Sequence, residues 1–123
     1  MNIALWICQA LLAALFLISG AAKSTQPRER LIAAGQTGIA VFPMPVVRFT
    51  AVCELVGAIG IVLPRLTGIA PVLTPVAAVG FGVVMVGAAA SHLRLREPWT
   101  AVGNLVILAV SVFVAYGTWA LLT

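Results

Sequence analysis

Five polar side chains stand out in an otherwise apolar chain because their types could carry out chemistry. They are Lys23, Arg48, Glu54, His92 and Asn104. Glu54 and His92 can each take up and release a proton, so they are the candidate catalytic residues. The other three can donate hydrogen bonds to an anion or an amphipathic molecule, and all five are candidates for ligand binding. We expect them to converge on one inward-facing polar pocket.

Glu54 is the most informative of the five because it lies near the middle of an apolar segment. At that depth in a membrane an ionised carboxylate is costly unless it is protonated, paired or hydrated. Gly57 and Ala58 share its helical face, so we expect Glu54 to point into a close packing of helices. It could act in function or form a structural hydrogen bond to a neighbouring helix.

The other polar residues have structural alternatives as well. Lys23, Arg48 and His92 lie near the ends of apolar segments, where they could bind a ligand, cap a helix or reach the lipid headgroups. Asn104 lies a few residues inside the fourth segment, on the same predicted side of the membrane. The sequence leaves each of these alternatives open.

The chain lacks the residue patterns of a metal or haem site. A single histidine cannot provide two axial ligands to haem, and Cys8 and Cys53 have no zinc-ligand spacing. The two cysteines are predicted at different depths, which disfavours a disulfide, and we expect both to be small buried residues. Any redox chemistry would have to come from a quinone or from a partner.

The composition indicates that these residues lie in a membrane protein. Of 123 residues, 63% are hydrophobic and 8% are charged, whereas a soluble domain has about 25% charged residues. Four apolar segments are long enough to cross a bilayer as helices, at about 3–22, 46–63, 69–91 and 99–122. The sequence therefore predicts an all-α integral membrane protein in the lipid bilayer. Residues 1–123 would form a single domain, a bundle of four transmembrane helices.

The first connection between these segments is long enough to hold structure of its own. Pro27 suits the first position of a helix and Gly35 the position after its end, which predicts a short helix at about 27–34. Charged residues from Arg28 to Arg30 precede four apolar ones. We therefore expect an interfacial helix with its arginines in water.

The basic residues predict an orientation. Six of the seven Lys and Arg residues flank the first and third connections, and only Arg65 lies on the opposite side. Because cytoplasmic loops carry the excess of Lys and Arg, we expect both termini outside. The basic residues form no patch for nucleic acid. In the outer half, Gln9, Thr74 and Ser111 are expected to form interhelical hydrogen bonds.

Three sequence stretches occur in a distinctive order, namely GAAK at 20–23, ELVGAIGIVLPR at 54–65 and GAAASHLR at 87–94. Together they resemble the DoxX-like family of small four-helix bacterial membrane proteins. The resemblance implies a multi-pass protein of the bacterial inner (cytoplasmic) membrane. It also implies a redox association, because related DoxD-type subunits are associated with thiosulfate:quinone oxidoreductases and other members with redox-stress complexes.

Three functions remain compatible with these observations. A quinone-linked or redox-stress-associated membrane subunit would use Glu54 and His92 to handle protons near a bound quinone, with a redox partner subunit. A small-molecule or ion transporter would use the same pocket with Glu54 as a proton-coupled site, and would act as a homo-oligomer because four helices are few for a transport path. A membrane anchor or assembly partner would not need the pocket. We favour the first function.

Overall fold

The structure is a computed structural model that describes residues 2–33, 37, 39 and 42–122. Six helices are present in this part of the chain: α1 (Asn2–Thr25), α2 (Arg28–Ala33), α3 (Met44–Gly60), α4 (Leu63–Thr67), α5 (Leu73–Arg94) and α6 (Pro98–Leu122). No residue in the described ranges forms a strand. Four spans, α1, α3 with α4, α5, and α6, are long and apolar enough to cross a membrane. The predicted all-α membrane fold with four spanning helices is confirmed.

Prolines and one glycine explain why the second span is divided into α3 and α4. Pro43 precedes α3 and Pro45 lies in its first turn, where a missing backbone N–H costs little. Pro64 has no N–H to donate to the carbonyl of Gly60, so α3 ends there and the chain turns before α4. Gly68 ends α4 with a φ of 75°. The sequence predicted one continuous helix over 46–63, and this proline is the reason for the difference.

The remaining helix ends differ from the predicted ones by a few residues. Helix α5 begins at Leu73, four residues after the predicted start, because Ala70 has a φ of 49° and the chain turns at Pro71. Helix α1 continues to Thr25, whose hydroxyl donates to the carbonyl of Ala21. The described bounds thus follow local backbone geometry that hydropathy does not report.

A short helix is present in the first connection, as predicted. Leu31 of α2 is fully buried and packs with Ile39 and Val47, which attaches the helix to the bundle. Glu29 and Arg30 are exposed. The predicted end of this helix, at Ala34 and Gly35, lies outside the described residues.

Arg28 differs from its predicted solvent position. Its guanidinium is half-buried and donates hydrogen bonds to the carbonyls of Ile39, at 3.1 Å, and Phe42, at 2.7 Å. Backbone carbonyls of an irregular connection need donors, and an arginine one helix away provides them. Arg28 therefore ties α2 to the residues that lead into α3.

The spanning helices pack as two pairs, α1 with α3 and α5 with α6. We call the end where α1 and α5 finish the α2 end, and the opposite end the α4 end. Phe16 of α1 and Phe81 of α5 stack in the centre, with ring centroids 3.9 Å apart. Towards the α4 end the pairs approach closely, because Gly57 faces Phe81 and Gly117 faces Leu5 with no room for a side chain. The two pairs are therefore joined at the centre and at the α4 end.

Candidate functional site

A cavity of about 410 Å³ lies between the helix pairs at the α2 end. Its wall is mostly apolar and includes Phe16 and Met85 of the central core. The polar side chains in the wall come from four helices, α1, α3, α5 and α6, and they are Ser19, Lys23, Thr50, His92 and Asn104. A cavity of this size and mixture of surfaces is typical of a small-molecule site.

Lys23 and Glu54 form an ion pair beside the cavity. The Lys23 Nζ lies 2.9 Å from Glu54 Oε1, and the Glu54 side chain is fully buried while that of Lys23 is 14% exposed. Lys23 also lines the cavity, so it links the carboxylate to the ligand space. The inward orientation expected of Glu54 agrees with its burial, and the ion pair offsets the cost of placing its charge there.

Arg48 supports this pair from the backbone side. Its Nη1 donates to the carbonyl oxygen of Lys23 at 2.5 Å, which satisfies a carbonyl at the end of α1. The guanidinium thus holds the last turn of α1 against the first turns of α3. Arg48 is not among the residues that line the cavity, and its observed contact is a positioning one.

His92 forms the centre of a second polar cluster at the α2 end. Its Nδ1 lies 2.9 Å from Glu97 Oε1, and the hydroxyl of Thr37 donates to both carboxylate oxygens of Glu97. The hydrogen bonds from His92 and then Thr37 lower the pKa of Glu97 from its ordinary value, because they stabilise the ionised carboxylate. The cluster joins the α5–α6 turn to the first connection.

Two buried polar atoms at this end have no hydrogen-bond partner within the part of the chain that the structure describes. They are Nδ2 of Asn104 and Oε2 of Glu54. Buried polar atoms are nearly always hydrogen-bonded, so each unpaired one is a candidate position for a ligand or water contact. Asn104 lines the cavity, and its amide is therefore placed to bind a ligand there.

The structure brings the five sequence candidates to one end of the bundle. Lys23, His92 and Asn104 line the cavity, whereas Glu54 contacts it through Lys23 and Arg48 lies behind Lys23. Sequence reasoning missed Glu97 and Thr37. Glu97 lies five residues after His92 and directly before Pro98, so the pattern of a tight turn was the available signal. No local pattern places Thr37 beside Glu97, 60 residues away.

The polar residues of the α4 end form a separate cluster. Gln9 Nε2 donates to the carbonyl of Ile61 at 2.7 Å, and Arg65 donates to the Gln9 side-chain oxygen. Arg65 also lies over the ring of Trp6, 4.4 Å from its centroid. Ile61 lies fully buried at the break between α3 and α4, and its carbonyl accepts the Gln9 hydrogen bond there. The interhelical hydrogen bond predicted for Gln9 is confirmed.

Three further sequence expectations need correction. Ser111 donates to the carbonyl of Ile107 in its own helix, and the buried hydroxyl of Thr74 has no partner in the described ranges, so neither shows the expected interhelical bond. A serine in an apolar helix can satisfy itself one turn back. Cys53 lies exposed on the outer face of α3 and Cys8 is half-buried, and both are free thiols.

Comparison with known proteins identifies the family. The model of the DoxX-like family matches residues 7–114, which cover two of the spans completely and most of α1 and α6. The chain belongs to the DoxX-like family. It has no significant match among the curated proteins or among the solved structures. Family membership and the four apolar helices agree in making this DoxX-like protein a multi-pass membrane protein.

Proposed function

We propose that this DoxX-like protein binds the head group of a quinone in the cavity and serves as the quinone-linked subunit of a membrane redox complex. The observation that carries the proposal is the buried Nδ2 of Asn104 in the cavity wall, which has no hydrogen-bond partner among the residues that the structure describes. A quinone has an apolar ring and carbonyl oxygens that accept hydrogen bonds. These features match an amide donor in an apolar cavity.

The residues of the cavity fit such a ligand. Lys23 shares the cavity with Asn104 and can donate to a second carbonyl oxygen, and His92 lines the same cavity. The apolar remainder of the wall suits a ring. A bound quinone would supply two-electron chemistry, with two electrons from a partner subunit and two protons. This division of roles agrees with a chain that has one histidine and two separate cysteines.

The protein's own residues would position the head group and handle protons. Glu54 holds the Lys23 ammonium at the cavity wall, and Arg48 fixes the backbone of the same lysine. His92 shares a hydrogen bond between its Nδ1 and Glu97 Oε1. A proton at this nitrogen can exchange with the Glu97 carboxylate, which is one-third exposed at the loop side of the cavity.

The test uses equilibrium binding of a short-chain benzoquinone and of a naphthoquinone to the protein in lipid nanodiscs. The substitution Asn104→Leu keeps the approximate size but removes the amide, and we expect it to weaken binding about ten-fold, the equivalent of one hydrogen bond. Thr74→Val is the matched control. It also replaces a buried, unpaired polar group, but Thr74 does not line the cavity, so affinity should stay unchanged.

Binding of neither quinone by the wild-type protein would contradict the proposal. A second candidate then takes its place, in which Lys23 and Glu54 form a proton-coupled site for a small anion in a homo-oligomer. This second candidate predicts that the protein binds a small anion and that Glu54→Gln abolishes the binding. Quinone affinity equal in wild type and Asn104→Leu would contradict the role of the amide. Absence of both quinone and anion binding would favour a membrane anchor.

We also propose that the protein lies in a bacterial inner membrane with the α2 end in the cytoplasm and both termini outside. Six basic residues lie at the α2 end or in its connections, whereas Arg65 lies at the α4 end. Cytoplasmic loops carry such an excess. In this orientation the α2-end cavity opens in the inner half of the bilayer.

A further inference from the structure

The cavity extends to the outer surface of the bundle between α3 and α5. Val46 and Thr50 line it from α3, and Val83 and Gly87 line it from α5. Val46 is 44% exposed and Val83 is 69% exposed, so these residues belong both to the cavity and to the surface that faces lipid. The side of the bundle is therefore open at the level of the cavity.

The opening arises because α3 and α5 are close only in their other halves. At Gly57 an added Cβ would lie 2.6 Å from the Phe81 ring, and at Gly60 it would lie 3.5 Å from Ala77. Gly87 lines the cavity, and an added Cβ there would meet no atom within 4 Å. Towards the α2 end the cavity itself lies between the two helices, because Thr50 of α3 and Gly87 of α5 both line it.

We propose that the opening between α3 and α5 receives the apolar tail of the ligand, which enters the site sideways from the bilayer. This inference rests on the proposed function, because it assumes that the cavity binds the polar head. Valine side chains at the rim are as apolar as lipid chains, so a tail can pass from lipid into the gap without losing an apolar environment. The ligand class is then a membrane-borne quinone with a hydrocarbon tail.

The loop side of the cavity is less suited to the tail. Ile39 and Phe42 line the cavity there, and Arg28 holds the carbonyl of each. Polar residues of the His92 and Glu97 cluster lie at the same side. A hydrocarbon tail directed that way would meet a charged, hydrated end of the bundle, which disfavours it.

The experiment compares a quinone that carries a hydrocarbon tail with the same ring without a tail, in nanodiscs of one lipid composition. Gly87→Leu places a side chain in the opening. Gly80→Leu is the matched control, because Gly80 lies two turns earlier on the same face of α5, has no atom within 4 Å of an added Cβ, and does not line the cavity. Val46→Phe narrows the opening from the α3 side, because Val46 is an exposed apolar residue at the rim.

We expect Gly87→Leu and Val46→Phe to weaken binding of the tailed quinone about ten-fold or more by steric exclusion while the tailless ring binds as in wild type. Binding of the tailless ring also shows that each variant is folded. The Gly80→Leu protein should bind both ligands like wild type. Because each ligand is compared between variants, its partition into lipid cancels.

Three outcomes overturn the inference in distinguishable ways. Unchanged affinity for the tailed quinone in both opening variants would show that the tail does not use this gap. Equal weakening of both ligands in both variants would show that the larger side chains obstruct the head site. Absence of binding of either ligand to wild type would remove the proposed function, and the sideways entry would fall with it.

Discussion

At the α4 end the two helix pairs touch, whereas at the α2 end they enclose a cavity. Gly117 meets Leu5 at the α4 end with no space between them, and the carbonyl of the buried Ile61 accepts a hydrogen bond from Gln9. At the α2 end, Asn104 and Glu54 each keep a buried atom without a partner among the described residues. Packing joins one end of the bundle, and polar side chains with room between them form the other.

This difference teaches where a small membrane protein can place a site. A closely packed end leaves little room for a ligand between the helix pairs, so it stabilises the bundle. Burying a charge costs free energy unless the charge is paired. Where a buried polar group is left without a partner, a ligand that pairs it binds favourably. We infer that the α4 end carries stability and the α2 end carries binding.

The sharpest way to break the comparison is to remove one partner of the buried ion pair. Lys23→Met leaves the fully buried Glu54 without its cation, and we expect the free energy of unfolding in detergent to fall by about 3 kcal/mol. The double variant Lys23→Met with Glu54→Gln removes both charges and should recover most of that loss. The measurement is reversible denaturant unfolding followed by circular dichroism.

A Lys23→Met protein as stable as wild type would mean that Glu54 does not depend on its ion pair. The α2 end would then resemble the α4 end in being held by packing alone.

Glycine-to-alanine substitutions test the packing difference directly. Gly57→Ala forces a methyl group against Phe81, which is itself stacked on Phe16, so we expect a loss of about 1–3 kcal/mol in the free energy of unfolding. Gly87→Ala meets open space and improves helix propensity, so we expect a gain of about 0.5–1 kcal/mol. The two variants would be compared by unfolding in the same detergent.

Changes of the same sign for the two alanine variants would argue against the separation of α3 and α5 at the α2 end. Changes of opposite sign in the free energy of unfolding would show that a single methyl group distinguishes the packing at the two positions.

The smallest expected effect is a pH dependence confined to the α2 end. Hydrogen bonds from His92 and Thr37 lower the pKa of Glu97, so the ionised Glu97 carboxylate stabilises the folded state. This stabilisation is fully present above the ordinary carboxyl pKa and is lost as pH falls through the lowered value. The difference in melting temperature between wild type and Glu97→Gln should therefore be constant above about pH 5 and shrink in more acidic solution. Amide exchange should show the acid-induced opening near His92.

A difference in melting temperature that stays constant down to pH 3 would show that the Glu97 cluster does not stabilise the fold. Exchange that increases equally at the α4 end would contradict the local nature of the effect.

The sequence was sufficient to predict that Glu54, Lys23, Arg48, His92 and Asn104 gather at one end, because depth in a membrane helix follows from counting residues along it. It was also sufficient for the four spans and for the short helix after Pro27. It could not predict that Lys23 pairs with Glu54, since that contact joins residues 31 positions apart on two helices. The contact between Thr37 and Glu97 was missed for the same reason, since these residues are 60 positions apart.

Hydropathy by itself determined that this chain is a four-helix membrane protein, because burial in lipid depends on the sum of side-chain transfer energies over about 20 neighbouring residues. The positions of proline and glycine in the sequence explain the break at α4, because backbone conformation alone determines where the helix ends there. Only the tertiary structure decided that the bundle is closed at Gly57 and open at Gly87. Both residues are glycines in apolar helices, and their difference lies in which side chain of another helix faces them, Phe81 in one case and no described atom in the other.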